Sequence, residues 1–123
     1  MSDPLPHTHE TATAELDALM LLRDGWADVD SIAPSAESIE TARPIARALV
    51  DAGVEFEIDG DVNGHTSLAI YGDDARHAWF SVRRRERIVL VLSANGSLQT
   101  MPVDVDNLAP FIERAVKWTK VMS

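Results

Sequence analysis

The chain has 123 residues, a net charge of −9 and no cysteine. This length fits one domain able to bury a core without staples, and the missing thiols exclude disulfides, thiolate metal sites and a cysteine nucleophile. No apolar run nears the roughly 18 residues that span a bilayer, and "MSDPLPHTHETATAE" lacks the basic opening and apolar stretch of a secretory signal, so a cytoplasmic setting without membrane contact is expected.

Residues 1–10, with two prolines and no periodicity, read as a flexible tail, leaving residues 11–123 as one domain. A first helix is expected from Thr11 or Thr13, with Leu16, Leu19, Met20 and Arg23 at i, i+3, i+4 and i+7. "RDG" would stop it, with Gly25 as a left-handed cap. The loop from Asp24 to Pro34 follows, and Ser35 is a good N-cap for a second helix whose stripe is Ile39, Ala42, Ile45, Ala46, Leu49 and Val50. Pro44 lies inside that helix and predicts either a kink near Ala42–Pro44 or two short helices. Gly53 ends it.

The period then changes to two. "VEFEID" points Val54, Phe56 and Ile58 inward and Glu55, Glu57 and Asp59 outward. "TSLAIYG" and "HAWFSVR" continue the alternation. "RIVLVLS" is apolar on both sides and predicts a central strand or one covered on both faces. Asn95-Gly96 predicts a type I′ hairpin into "LQTMPV", whose Pro102 marks an edge or a strand end. Asp106 is expected to cap a last helix that shows Leu108, Phe111, Ile112, Ala115, Thr119 and Met122 on one face. The fold class is α+β: an antiparallel meander of about five strands, two N-terminal helices and one C-terminal helix.

Charge is segregated along the chain. Residues 1–62 carry 14 acids against 3 bases, and residues 63–123 carry 8 bases against 6 acids. Such a field repels nucleic acid from half of the molecule and favours basic protein surfaces. "RRRER" (Arg83–Arg87) is the one basic cluster; it is either a solvated hairpin tip or a partner for the protein's own acidic half, within one molecule or across a homodimer.

Several features carry possible chemistry. His7 and His9 offer two imidazoles without a third ligand, and no metal site or cofactor is expected. "GDVNG" (Gly60–Gly64) resembles a fragment of a calcium loop but lacks its register, and reads as a turn. His65 and His77, near Asp73 and Asp74, are raw material for acid–base catalysis without a nucleophile or phosphate loop beside them. Tyr71 and Trp79 face away from the core with Arg83 on the same side, the composition of an interface hot spot, unless a helix covers that face. Trp26 either plugs the joint between helices and sheet or stands exposed inside an acidic rim.

An amphipathic helix, "DGW", a short acidic loop, a second helix opening "APSAESIETA" and then a meander resemble a loose group of small uncharacterised proteins common in phages and mobile elements. The likeness covers roughly residues 15–100, with Gly25-Trp26, Pro34 and Ile39 as its marker. The proline-rich link of such proteins is missing, since Gly53 directly precedes the first strand. The resemblance brings no activity; it implies a phage-type accessory protein, a class that includes small acidic inhibitors of bacterial defence complexes resembling anti-CRISPR proteins.

The residues together predict a non-enzymatic binding module. Asp24, Asp28, Asp30, Glu55, Glu57 and Asp59 would meet a basic protein surface, such as that of a nucleic-acid-binding complex, without touching nucleic acid directly. Trp26, Tyr71, Trp79 and Arg83 would anchor it. The alternatives are a self-associating structural or antitoxin-like protein and a small His/Asp enzyme.

Overall fold

The computed structural model describes residues 7–72 and 75–120. Its elements are α1 (His9–Leu19), α2 (Ala36–Asp51), β1 (Glu57–Gly60), β2 (Thr66–Tyr71), β3 (His77–Arg84), β4 (Arg87–Ala94), β5 (Ser97–Pro102) and α3 (Ala109–Thr119). The strands form one antiparallel sheet in the order β1-β2-β3-β4-β5, so the α+β meander is as expected.

Helix α1 starts earlier than its sequence suggests. Thr8 is the N-cap, and its hydroxyl exchanges hydrogen bonds with Thr11 in a capping box. His9 and Glu10 are therefore helical and not part of a tail; Met1–Pro6 lie outside the described residues. His7 is also engaged, contacting Glu15 and stacking on Phe56 at 4.4 Å, and His9 lies 2.7 Å from Asp51. The helix ends at Leu19, before "RDG", so Gly25 (φ +86°) turns the following loop and does not cap α1. Ala12, Leu16 and Leu19 are buried, while Met20 is half exposed.

Ser35 caps α2 by accepting the amide of Ser38, as expected. The helix runs unbroken through Pro44, whose ring lies on the exposed side and leaves the buried stripe intact. Its end is a Schellman arrangement: Gly53, at φ +71°, donates to Val50 and Val54 donates to Leu49. Arg43 ties the two helices, reaching Asp17 at 2.7 Å and Glu40 at 3.0 Å. The hydrogen bond to Asp17 raises its guanidinium pKa, opposed by partial burial and helped by Glu40.

The core lies between the helices and one sheet face. Leu68, Ile70, Ala78, Phe80, Val82, Ile88, Leu90 and Leu92 meet Ile39, Ala42, Ile45, Leu49, Ile112 and Ala115, all nearly or fully buried. One polar contact crosses this layer, between the buried hydroxyls of Ser38 and Thr66 at 2.8 Å. Asn95 and Gly96 both adopt positive φ and close the β4–β5 hairpin with Ala94 opposite Ser97, the geometry of a type I′ turn.

Helix α3 departs from expectation at its start. Leu108 is the N-cap and no side chain caps it; Asp106 instead pairs with Arg85 of the β3–β4 hairpin. The arginine tip thus finds a carboxylate in the chain's own second half. Ile112, Ala115 and Thr119 are buried and Leu108 and Phe111 half buried, while Met122 lies outside the described residues. The helix is pinned near its end by the Trp118 indole, which donates to Ser93 at 3.0 Å while Arg76 lies 4.6 Å above the ring.

Candidate functional site

Strand parity sends alternate residues to the sheet face opposite the helices. Along β2 to β4 the helix-side residues are buried and the others are mostly half exposed. The apolar outer positions of β4, Val89 and Val91, left two readings, a central strand or one covered on both faces. The first holds: β4 is an interior strand, all three helices join the core on one face, and among the described residues no helix covers the other.

This open face has three cross-strand rows. In the first, Tyr71 stands beside His77, followed by Ser93 and Leu98. In the second, Glu57, Ala69, Trp79, Val91 and Thr100 are neighbours, and in the third Asp59, Ser67, Ser81, Val89 and Pro102. The rings form a ladder, with Tyr71 to His77 at 5.9 Å and His77 to Trp79 at 4.8 Å, the planes 24° and 15° apart. Offset stacking of this kind holds each ring in place and leaves the ladder's outer surface to solvent. Tyr71 is 65% exposed. The expected Tyr71–Trp79 neighbourhood is present, mediated by His77, which belongs to the site although sequence reading gave it only a catalytic alternative.

Arg83 does not join the ladder. It lies on the same face four residues further along β3, beside a break in register, and its Nε–H donates to His65 Nε2 at 2.9 Å. With Ser81, Arg87 and Val89 these two line a shallow cavity of about 220 Å³. His65 and His77 therefore stand at opposite ends of β2, one held by an arginine and the other between aromatic rings. Asp73 and Asp74, the carboxylates considered for them, lie outside the described residues.

The acidic residues gather at the β1 edge. Glu57 and Asp59 face outward from β1, with exposed Glu55 just before it. The 24–34 loop docks against the end of the same strand: Ile32 donates to Val62 at 2.7 Å and Ser35 to Gly64 at 3.0 Å. Within the loop Asp24 accepts the amide of Ala33 and Asp28 that of Asp30, both at 2.9 Å. Asp59 accepts the amide of Gly60 at 2.8 Å. Three of the six carboxylates thus also shape backbone, and all six remain exposed. Among the described residues none of the six has a basic group within 4.0 Å, because the ion pairs engage other acids.

Trp26 serves this docking. Its indole N–H donates to the Ile32 carbonyl at 3.1 Å, and the half-buried ring lies with Pro34 against Gly60 on the helix side of β1. Its contacts are with the loop and the end of β1, and it is not among the residues packed against the core, so it holds the loop to the strand rather than plugging the joint between helices and sheet.

A second concavity had no sequence counterpart. Ala48, Ala52, Ala109, Ile112 and Val116 line an apolar groove of about 570 Å³ between α2 and α3, with Asp51, Glu113 and Lys117 at its margin. Among the described residues no group of three or more His, Asp or Glu is placed to hold a metal, and no helix is long and apolar enough to cross a membrane.

Comparison with protein-family models, curated proteins and solved structures found no match to this chain.

Proposed function

We propose that this chain is a non-catalytic protein-binding module that engages a basic protein surface through the open face of its sheet. The observation that carries the reading is the stacked Tyr71–His77–Trp79 ladder on the sheet face away from the helices, with Glu57 and Asp59 outward on the same face at the β1 edge. Desolvated aromatic rings supply most of the affinity in such contacts. The carboxylates of β1 and of the 24–34 loop raise the encounter rate and select cationic partners. Half-buried Trp26 then acts as a positioning residue for the acidic loop, and the anchor falls to Tyr71 and Trp79. A nucleic-acid-handling complex is the partner class to test first, because it presents a broad basic surface. A phage-type inhibitor of a bacterial defence complex is the specific form that the weak sequence likeness favours.

The immobilised chain, exposed to bacterial lysate, is expected to retain a protein that elutes with added salt or with competing DNA. Retention should be lost with Trp79→Ala and, separately, with Glu57→Lys/Asp59→Lys. Capture that is indifferent to salt, or equal for wild type and both variants, overturns the proposal.

A further inference from the structure

The two edges of the sheet are unlike. The β1 edge is four residues long and bears Glu57 and Asp59, a usual defence against pairing with another strand. The β5 edge is six residues long and carries no charge from Ser97 to Val103, in a chain of which 25% is charged. Among the elements described, β5 packs only against β4, and all its residues but half-buried Met101 are exposed.

The backbone direction along β5 follows from two observations. Ala94 and Ser97 close the hairpin, and Val103 N–H donates to the Ile88 carbonyl at 2.9 Å. Alternation then aims residues 97, 99, 101 and 103 at β4, and Leu98, Thr100 and Pro102 away from the sheet. Pro102 consequently lacks its N–H on the free side, where the β4 ladder does not need it. The open edge offers the N–H and C=O of Leu98 and Thr100.

We infer that β5 pairs antiparallel with β5 of a second copy about a two-fold axis through Gln99. In this register Leu98 lies opposite the partner's Thr100 and Thr100 opposite the partner's Leu98, and four backbone hydrogen bonds form. Centring on Thr100 would set each Pro102 ring against a Leu98 carbonyl of the other copy and leave that carbonyl without a donor; centring on Leu98 would set Thr100 against Gly96, inside the turn. The occupant is a second copy because the outward N–H and C=O groups of Leu98 and Thr100 are self-complementary about this axis, and the uncharged stretch from Ser97 to Val103 lets two chains of net charge −9 meet without opposing carboxylates at the seam. The strand order also keeps the acidic β1 edges apart, each about 19 Å from its β5 at four strand spacings. Leu98, 63% exposed, gains cover from the other copy. The pairing lies beyond the partner surface proposed above and leaves the aromatic ladder free.

The chain has no cysteine, so Gln99→Cys introduces a single thiol. In the inferred register the two Cα atoms face each other at about 4.5 Å, within disulfide reach. Ser97→Cys is as exposed but lies about 13 Å along the strand from its copy, out of reach. Under mild oxidation Gln99→Cys is expected to give at least about ten-fold more disulfide dimer than Ser97→Cys. Adding Thr100→Pro, which removes one outward N–H and leaves the β4 ladder intact, should return it to the Ser97→Cys level. Equal cross-linking of the two thiols, or no response to Thr100→Pro, overturns the inference and assigns the edge to another protein's strand or to solvent.

Discussion

Gly60 decides how the acidic loop sits on the sheet, and Gly60→Ala tests it. A Cβ at this position would lie 2.7 Å from Pro34 Cγ and 3.4 Å from Trp26 Cζ2, so the first contact is about 0.7 Å inside the ordinary range. The backbone at Gly60 is not among those with positive φ, so conformational strain does not enter. Two effects then compete with opposite signs. Replacing glycine by alanine restricts the unfolded chain and stabilises by about 0.4–1 kcal/mol. Overpacking against a buried proline and a half-buried indole costs about 1–3 kcal/mol. The steric term is the larger, and a net loss of about 1–2 kcal/mol is expected, read by urea denaturation at an unchanged m-value. The Trp26 indole N–H should exchange faster as its bond to Ile32 weakens. Because Pro34 supplies the closest contact, Gly60→Ala/Pro34→Ala should cost less than the sum of the single changes, by about 0.5 kcal/mol or more. A Gly60→Ala chain as stable as wild type, or costs that simply add, would show that the loop does not pack on β1 as described.

Two further outcomes follow from the same geometry. Phe80→Ala, on the covered face, should cost about 3–5 kcal/mol, and Trp79→Ala, next to it on the open face, less than half of that; equal losses in thermal or urea unfolding would mean that the outer face is covered after all. The hydrogen bond from Lys117 at 2.7 Å, and then its charge, lower the Glu113 carboxyl pKa, so the stabilisation is present at neutral pH and fades as pH falls through the depressed folded value; Lys117→Met should move the Glu113 carbon titration, followed by NMR, back up to the ordinary carboxylate range.

Much of the sheet was legible in the residues. Val54, Phe56 and Ile58 alternate with carboxylates, and the pairing register agrees with that parity because a one-residue slip would expose every apolar side chain. Asn95-Gly96 and Ser35 act through local backbone chemistry, so their roles need no tertiary information. The misreadings are tertiary. Asp106 is a good cap by type, but Arg85 from another hairpin takes its carboxylate. An apolar outer row looks the same in sequence whether a helix covers it or nothing does, and so Val89 and Val91 could not show that the face is open. Arg83 shares parity with Trp79, yet four residues of strand separate them, and parity alone carries no distance. His77 was visible only as a titratable group; its place between two rings follows from the β2–β3 register. The groove between α2 and α3 is lined by two helices far apart in the chain, which no single segment encodes.

The meander also bears on how the molecule assembles. Every strand pairs only with its neighbour in the chain, so the sheet grows by short loop closures that each lose little entropy before contacts compensate. The β4–β5 hairpin, tightened by its type I′ turn, is the natural place to begin, on a microsecond scale. The slow search is left to α1 and α2, which must find strands far along the sequence. Until they dock, Phe80 and Leu90 lie bare on a preformed sheet, and that interval is when the chain is most exposed to aggregation.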